Sequence, residues 1–306
     1  MYFDVFSAHW PFIHRSSFNM NQRNESPLLV QAMLVVGMWM ASTDRLRAAA
    51  VELHGKLDEA IWEQRDKWDV SVAVTAEDRT SRSRQVPRAA KWPLPVYQAI
   101  LLHIIFSQLH TADTKSARSS NKSNFSLGLD LKPCATEATI ALLSSLVQSC
   151  RRLGMFHYPD IIASCRLSLP KLSSNSSSLI PHIWVGIEEV KRFNVALYRI
   201  CRAISSSSSA LSSSNPDILD PSPASRREAR WQLSAHELQF PPPTNDRMWN
   251  TTTWEEWESA VALDPHVSMN PDHTISMDLV KLATSEVLAF SSSSRIPWDL
   301  DARGAG

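Results

Sequence analysis

Only seven glycines punctuate the 306 residues of this chain. All-β and dinucleotide-binding folds need more turn glycines than that. Apolar residues recur instead at spacings of three and four, the period of a helix. Ser26 followed by Pro27 is a start signal: Ser caps, and Pro lacks a donor that would be orphaned at the first helical position. Beyond it Leu28, Ala32, Val35, Val36 and Trp39 fall on one face. A second helix is predicted over about residues 44–68. Leu53, Leu57, Ile61, Gln64 and Trp68 form its stripe, and Glu52–Lys56 and Glu63–Lys67 stand four apart in the favourable order. The period returns at Val96, Ile100, Ile104 and Leu109, then after Thr136 at Ile140, Leu143, Val147 and Cys150. It is most regular at Ile183, Val190, Leu197 and Ile204, flanked by Ile187, Asn194 and Cys201. The expected fold is all-α, a multi-helix bundle of mostly antiparallel helices with long polar loops.

Composition shifts place the boundaries. One domain is expected over residues 1–260, with polar inserts at about 69–91, 111–132 and 205–225 that lack any apolar period. The first insert holds the basic run Arg79, Arg82 and Arg84, which reads as a solvated loop rather than a nucleic-acid contact. The serine tract at 205–214 has nothing to pack. Pro241, Pro242 and Pro243 force an extended segment before Trp249, Trp254 and Trp257. Residues 261–306 read as a short helix, about 278–290, and a frayed tail.

Charge and cysteine usage narrow the function. Apolar residues make up 43% of the chain, enough for a sizeable core. Lys+Arg and Asp+Glu both number 31, so no basic excess exists to replace phosphate counterions, and the chain is not expected to grip DNA alone. Cys134, Cys150, Cys165 and Cys201 lie far apart, without the close pairs that zinc sites require, and read as reduced thiols. The N-terminus lacks a basic region followed by an apolar run, so no signal peptide is read there. Ile100 to Phe106 is too short to cross a bilayer, and no membrane role is expected.

No phosphate-binding loop, nucleophile elbow or zinc-protease helix occurs. His9 and His14 bracket Trp10-Pro11-Phe12, but no third ligand accompanies them, and packing or capping is the expected role. Glu188 and Glu189 are adjacent, so they point to different sides of a helix. Nothing assembles a nucleophile, a base and an orienting group, and no enzyme is expected.

Six segments, in order, carry a family resemblance. The first is Tyr2-Phe3-Asp4-Val5-Phe6 with Trp10-Pro11-Phe12-Ile13-His14-Arg15-Ser16-Ser17-Phe18. The second is Ser26-Pro27-Leu28-Leu29 through Ala32 to Gly37. The third is Pro95-Val96-Tyr97-Gln98-Ala99-Ile100-Leu101-Leu102, and the fourth Cys150-Arg151-Arg152-Leu153-Gly154-Met155-Phe156. The fifth is Trp184 with Glu188, Glu189, Lys191 and Arg192; Ile187 stands where the pattern has a second Trp. The sixth runs from Leu233-Ser234 through Glu237-Leu238 and Phe240-Pro241-Pro242-Pro243 to Trp249, Trp254 and Trp257. Together they resemble the fungal-specific transcription factor domain, also called the xylanolytic activator regulatory domain or middle homology region. The sixth is similar to the version found in factors with paired two-Cys/two-His fingers.

The resemblance implies a regulatory domain of a nuclear zinc-finger transcription factor that acts through protein contacts with the transcription machinery. It implies DNA contact only through a separate N-terminal zinc module, which these residues do not contain, and no cofactor in this chain. The expected alternatives are a non-catalytic helical scaffold and a degenerate gene-model fragment. Homodimerisation through an exposed helix face is compatible with the pattern. The motif residues Phe3, Pro11, His14, Arg15, Phe18, Gly154, Phe156, Trp184, Glu188, Lys191, Arg192, Glu237, Pro241, Trp249 and Trp257 are expected to be structural. Gly154 is expected to cap a helix, and Glu188, Lys191 and Arg192 to form local ion pairs.

Overall fold

The computed structural model describes residues 1–15, 18, 25–41, 43–71, 92–118, 135–167, 180–212, 230–243 and 246–263. The fold is all-α, with no strand among the described residues. A π-helical turn, Tyr2–Phe6, precedes α1 (Pro27–Met40), α2 (Asp44–Glu63) and the single turn α3 (Arg65–Trp68). Then come α4 (Leu94–Arg118), α5 (Glu137–Leu153), α6 (Tyr158–Leu167) and the long α7 (Ile180–Ser212). A 3-10 turn, Ala235–Glu237, leads to α8 (Asp246–Trp249) and α9 (Trp254–Ala262).

α4 is the centre. Tyr97, Ala99, Ile100, Leu101, Leu102, Ile104, Ile105 and Phe106 are all buried, so this stretch of the helix is covered on every side and mostly apolar, with Gln98 and His103 its buried polar groups. α1 covers it from one side with Leu28, Leu29, Ala32, Val35 and Val36, and turns back into α2. α5 and α7 close the other side through Leu143, Leu146 and Val147 and through Phe193, Leu197 and Ile200. A fully buried side chain of this kind contributes about 1.5–3 kcal/mol.

Local chemistry sets the ends. Pro27 stands at the first position of α1, as expected, but the Ser26 hydroxyl makes no capping bond. Thr43 and Thr136 do cap, accepting from the Leu46 and Thr139 amides. The predicted helix over 44–68 is split at Gln64, where the backbone leaves helical angles (φ −98°, ψ 14°). α5 ends at Gly154, which takes the left-handed conformation at φ +74°. A Cβ there would lie 2.6 Å from the Asp160 carboxylate, so only glycine fits.

The polar inserts begin later than expected. α4 runs on to Arg118 and α7 to Ser212. Thr111 and Ser205 return their hydroxyls to the carbonyls of Ser107 and Cys201 four residues back, so these polar groups are satisfied within the helix. Residues 69–71 also belong to the packed body. Asp69 is buried and receives Arg65 at 2.8 Å, the Ser71 amide at 3.0 Å and the Ser149 hydroxyl at 3.4 Å. Arg152 reaches the Val70 carbonyl at 2.6 Å. The basic run at 79–84, the 278–290 helix, the tail and most of the inserts lie outside the described residues.

Between α2 and α4 the imidazoles of His54 and His103 stack at 4.1 Å, with Asp58 3.1 Å from His103 Nε2. Burial, then the neighbouring His103, pushes His54 down to about 4.

Candidate functional site: a buried charged seam on the long helix

The most unusual chemistry of the chain lies on the first half of α7. Glu188, Lys191 and Arg192 are buried there, although charged groups are almost never placed so deep without partners. Helical spacing supplies the partners, since residues three and four apart share a face. Lys191 Nζ pairs with Glu188 Oε1, and Arg192 Nε lies 3.5 Å from Glu188 Oε2. Arg192 also reaches Asp246 Oδ1 at 2.8 Å, and its guanidinium sits 4.4 Å from the centre of the Trp249 ring.

The next residue faces the other way. Glu189 Oε1 accepts the backbone amide of His14 at 2.8 Å, joining positions 175 residues apart in sequence. Two turns of the helix therefore hold both the N-terminal segment and the C-terminal Trp segment. The His14 ring meets Trp249 edge to face at 4.9 Å. Burial pushes its imidazole down to about 4; the Arg192 charge adds to this, and a bond to the Trp249 backbone opposes it. His14 is therefore neutral in the folded protein at pH 7. Further along α7, Phe193 packs against Phe12 with ring centres 6.4 Å apart, and Arg199 lies over Trp10 at 4.5 Å while donating to the His9 carbonyl. Gln98 of α4 donates to the Phe12 carbonyl at 2.9 Å.

The motif residues do not form one site. His14, Trp184, Glu188, Lys191, Arg192, Trp249 and Trp257 gather around α7, Trp184 and Trp257 through a small apolar cluster with Met248. Phe3, Arg15 and Phe18 form an outer clasp: the Phe3 and Phe18 rings are 5.9 Å apart, and Arg15 covers Phe3 while reaching Asp4 at 3.2 Å. Pro11 is half-buried beside them in sequence. Gly154, Phe156, Glu237 and Pro241 belong to a third assembly at the end of α5. There Arg151 grips Glu237 with two bonds, at 2.7 and 3.0 Å, and the Ser234 amide and hydroxyl donate to the same carboxylate. Burial alone would raise the Glu237 carboxyl; these donors outweigh it and hold it at about 2. The Gln239 amide donates to the Phe156 carbonyl at 2.8 Å, which seats half-buried Pro241 just beyond.

Arg151, Gln98, Asn194 and Arg199 organise these assemblies, yet no spacing rule singles them out. Asn194 donates to the Met155 carbonyl at 2.6 Å. Their partners are carbonyls or residues remote in sequence, so the motifs and periods that include Gln98, Arg151 and Asn194 do not reveal these bonds.

The described thiols lie inside the helical body or at its edge. Cys150 and Cys201 are buried, and burial holds Cys201 up at about 12. Among the described residues no three His, Cys, Asp or Glu side chains converge as metal ligands, and Cys134 lies outside those residues. A depression of about 500 Å³ lies beside α8 and α9, lined by polar groups such as Arg247, Asn250, Thr251 and Glu255; it is unlike the enclosed apolar pocket of a small-molecule site. No helix among the described residues is long and apolar enough to cross a membrane.

The fungal specific transcription factor domain, as a family sequence model, matches residues 1–155, just over half of the chain. The chain belongs to that family. No curated protein and no solved structure matches it. The matched part of this fungal transcription factor domain ends one residue past the Gly154 cap, so it takes in the N-terminal segment and α1 to α5. The motifs around Glu188, Glu237 and Trp249 lie beyond it. They are nevertheless packed on the matched part, by His14 to Glu189, Phe12 to Phe193 and Arg151 to Glu237.

Proposed function

We propose that the chain regulates RNA polymerase II transcription in the nucleus, as the regulatory part of a zinc-finger transcription factor. It works through contacts with proteins of the transcription machinery, and a zinc module elsewhere in the parent factor supplies the DNA contact. The observation that carries the reading is the family match over residues 1–155. The balanced charge supports the division of labour, because a chain with 31 basic and 31 acidic residues has no phosphate-binding excess of its own.

Fusion of the chain to an unrelated DNA-binding domain tests this. Reporter output should change at least several-fold from that of the DNA-binding domain alone, up or down. Unchanged output from a folded fusion would leave a scaffold, not a regulator.

A further inference from the structure

Residues 246–263 meet the rest of the chain through a seat unlike its core. Met248, Trp257, Ala260 and Val261 form an apolar cluster of their own, separate from the main core and joined by Trp184 of α7. Polar and aromatic contacts add to it. Asp246 reaches Arg192 at 2.8 Å, Trp249 lies under the Arg192 guanidinium, and His14 touches the edge of that system. Exposure is uneven across the pair: the Arg192 side chain is 7% exposed and that of Asp246 is 75% exposed. The receiving cation is thus built into the body, and the acid that meets it comes from the surface.

The geometry of the visiting segment is simple. α8 is a single turn, which places Asp246 and Trp249 three apart on one side. The acid takes the guanidinium edge and the indole takes its face. Lys191 and Arg192 both lean on Glu188, so withdrawal of Asp246 removes a carboxylate from a seat with two buried cations. Such a seat favours an acidic visitor. The segment's buried side chains Met248, Trp257, Ala260 and Val261 pack on one another and on Trp184 rather than in the main core, and segments outside the main core open at lower cost than it does.

We infer that residues 246–263 are a releasable clasp, and that their seat on α7 takes, in trans, a partner peptide with an acidic residue three positions before a tryptophan. This rests on the reading of the chain as a domain that works through protein contacts. The clasp is then a built-in competitor for that partner, and the seat is open only in the fraction of molecules that have released it.

The test uses the full chain and a labelled peptide of residues 244–263, followed by fluorescence anisotropy. The double variant Asp246→Ala, Trp249→Ala should bind the peptide at least about tenfold more tightly than the unaltered chain, because the cis competitor is weakened. A peptide carrying the same two substitutions should not bind. Equal binding by both chains, or by both peptides, would overturn the inference. If the double variant loses its helical circular dichroism, amide hydrogen exchange on the unaltered chain decides. Amides of α9 should exchange at least about tenfold faster than those of α5 and the 183–204 part of α7; equal rates would overturn the inference. Neither measurement depends on a reporter, so failure here is distinct from failure of the transcriptional reading.

Discussion

At the scale of single residues, backbone conformation at Gly154 and buried charge at Glu188 are the most exacting features. Gly154 holds a left-handed conformation, and any Cβ would run into Asp160. Gly154→Ala should lower stability by roughly 1–3 kcal/mol, read by chemical denaturation. Glu188 partners two buried cations, so Glu188→Ala should cost about 3–5 kcal/mol by the same measurement. A loss under about 0.5 kcal/mol, the usual effect of a surface change, would show that the seam is not the buried ion cluster described. The histidines set an acid limit. His14 and His54 have folded values of about 4 against an ordinary 6.5, so the unfolded chain takes up protons first as pH falls. Their contribution is intact above about pH 6.5 and is lost progressively toward pH 4. Glu237, held at about 2 against an ordinary 4.5, adds a second loss from about pH 4.5 downward. Thermal midpoints measured from pH 7.5 to 4 should fall, and the variant His14→Phe should flatten the upper part of that fall. A midpoint independent of pH across this range would contradict the buried, neutral state of both rings.

At the scale of elements, the helical period carried most of the information. α1, α2, α5 and α7 are each announced by an apolar stripe, and the stripes named by the sequence face the core: Leu57, Ile61, Val147, Val190 and Leu197 are all buried. Gly154 was legible because a glycine after a helical run has one common use. α4 was announced too, at Val96, Ile100, Ile104 and Leu109, but its place at the centre was not legible, because the stripe does not tell that Tyr97, Ala99, Leu101, Leu102 and Ile105 on its other sides are buried as well. The polar knots were also hidden. Asp69 lies in a stretch that lacks apolar period, and the Glu189–His14 bond joins elements that nothing in the sequence brings together. α4 and α7 also outlast their apolar patterns, which the period alone did not show. The strongest element-level prediction concerns the face of α7 that meets the N-terminal segment. Phe193→Ala should cost about 3–5 kcal/mol, because the ring is fully buried against Phe12. A change under about 1 kcal/mol in the denaturation midpoint analysis would mean that the two elements pack independently.

At the scale of the whole molecule, the family-matched residues 1–155 and the segments that follow behave as parts of one packed structure. α7 threads between them: its charged face and its aromatic face hold the two ends of the described chain, and Arg151 of the matched part fixes Glu237 of the later part. Unfolding of the body should therefore be cooperative, with intrinsic tryptophan fluorescence and helical circular dichroism changing together. Two separated transitions would place α7 outside the unit formed by α1 to α5. The regulatory reading belongs to this scale as well, since no single side chain carries it. Its most direct measurement is reporter output from the chain fused to an unrelated DNA-binding domain, run beside the same fusion carrying Glu188→Ala. The account predicts a several-fold change in output from the unaltered fusion, which the substitution abolishes at equal protein level. Output equal to that of the DNA-binding domain alone, from a fusion shown to be folded, would contradict it.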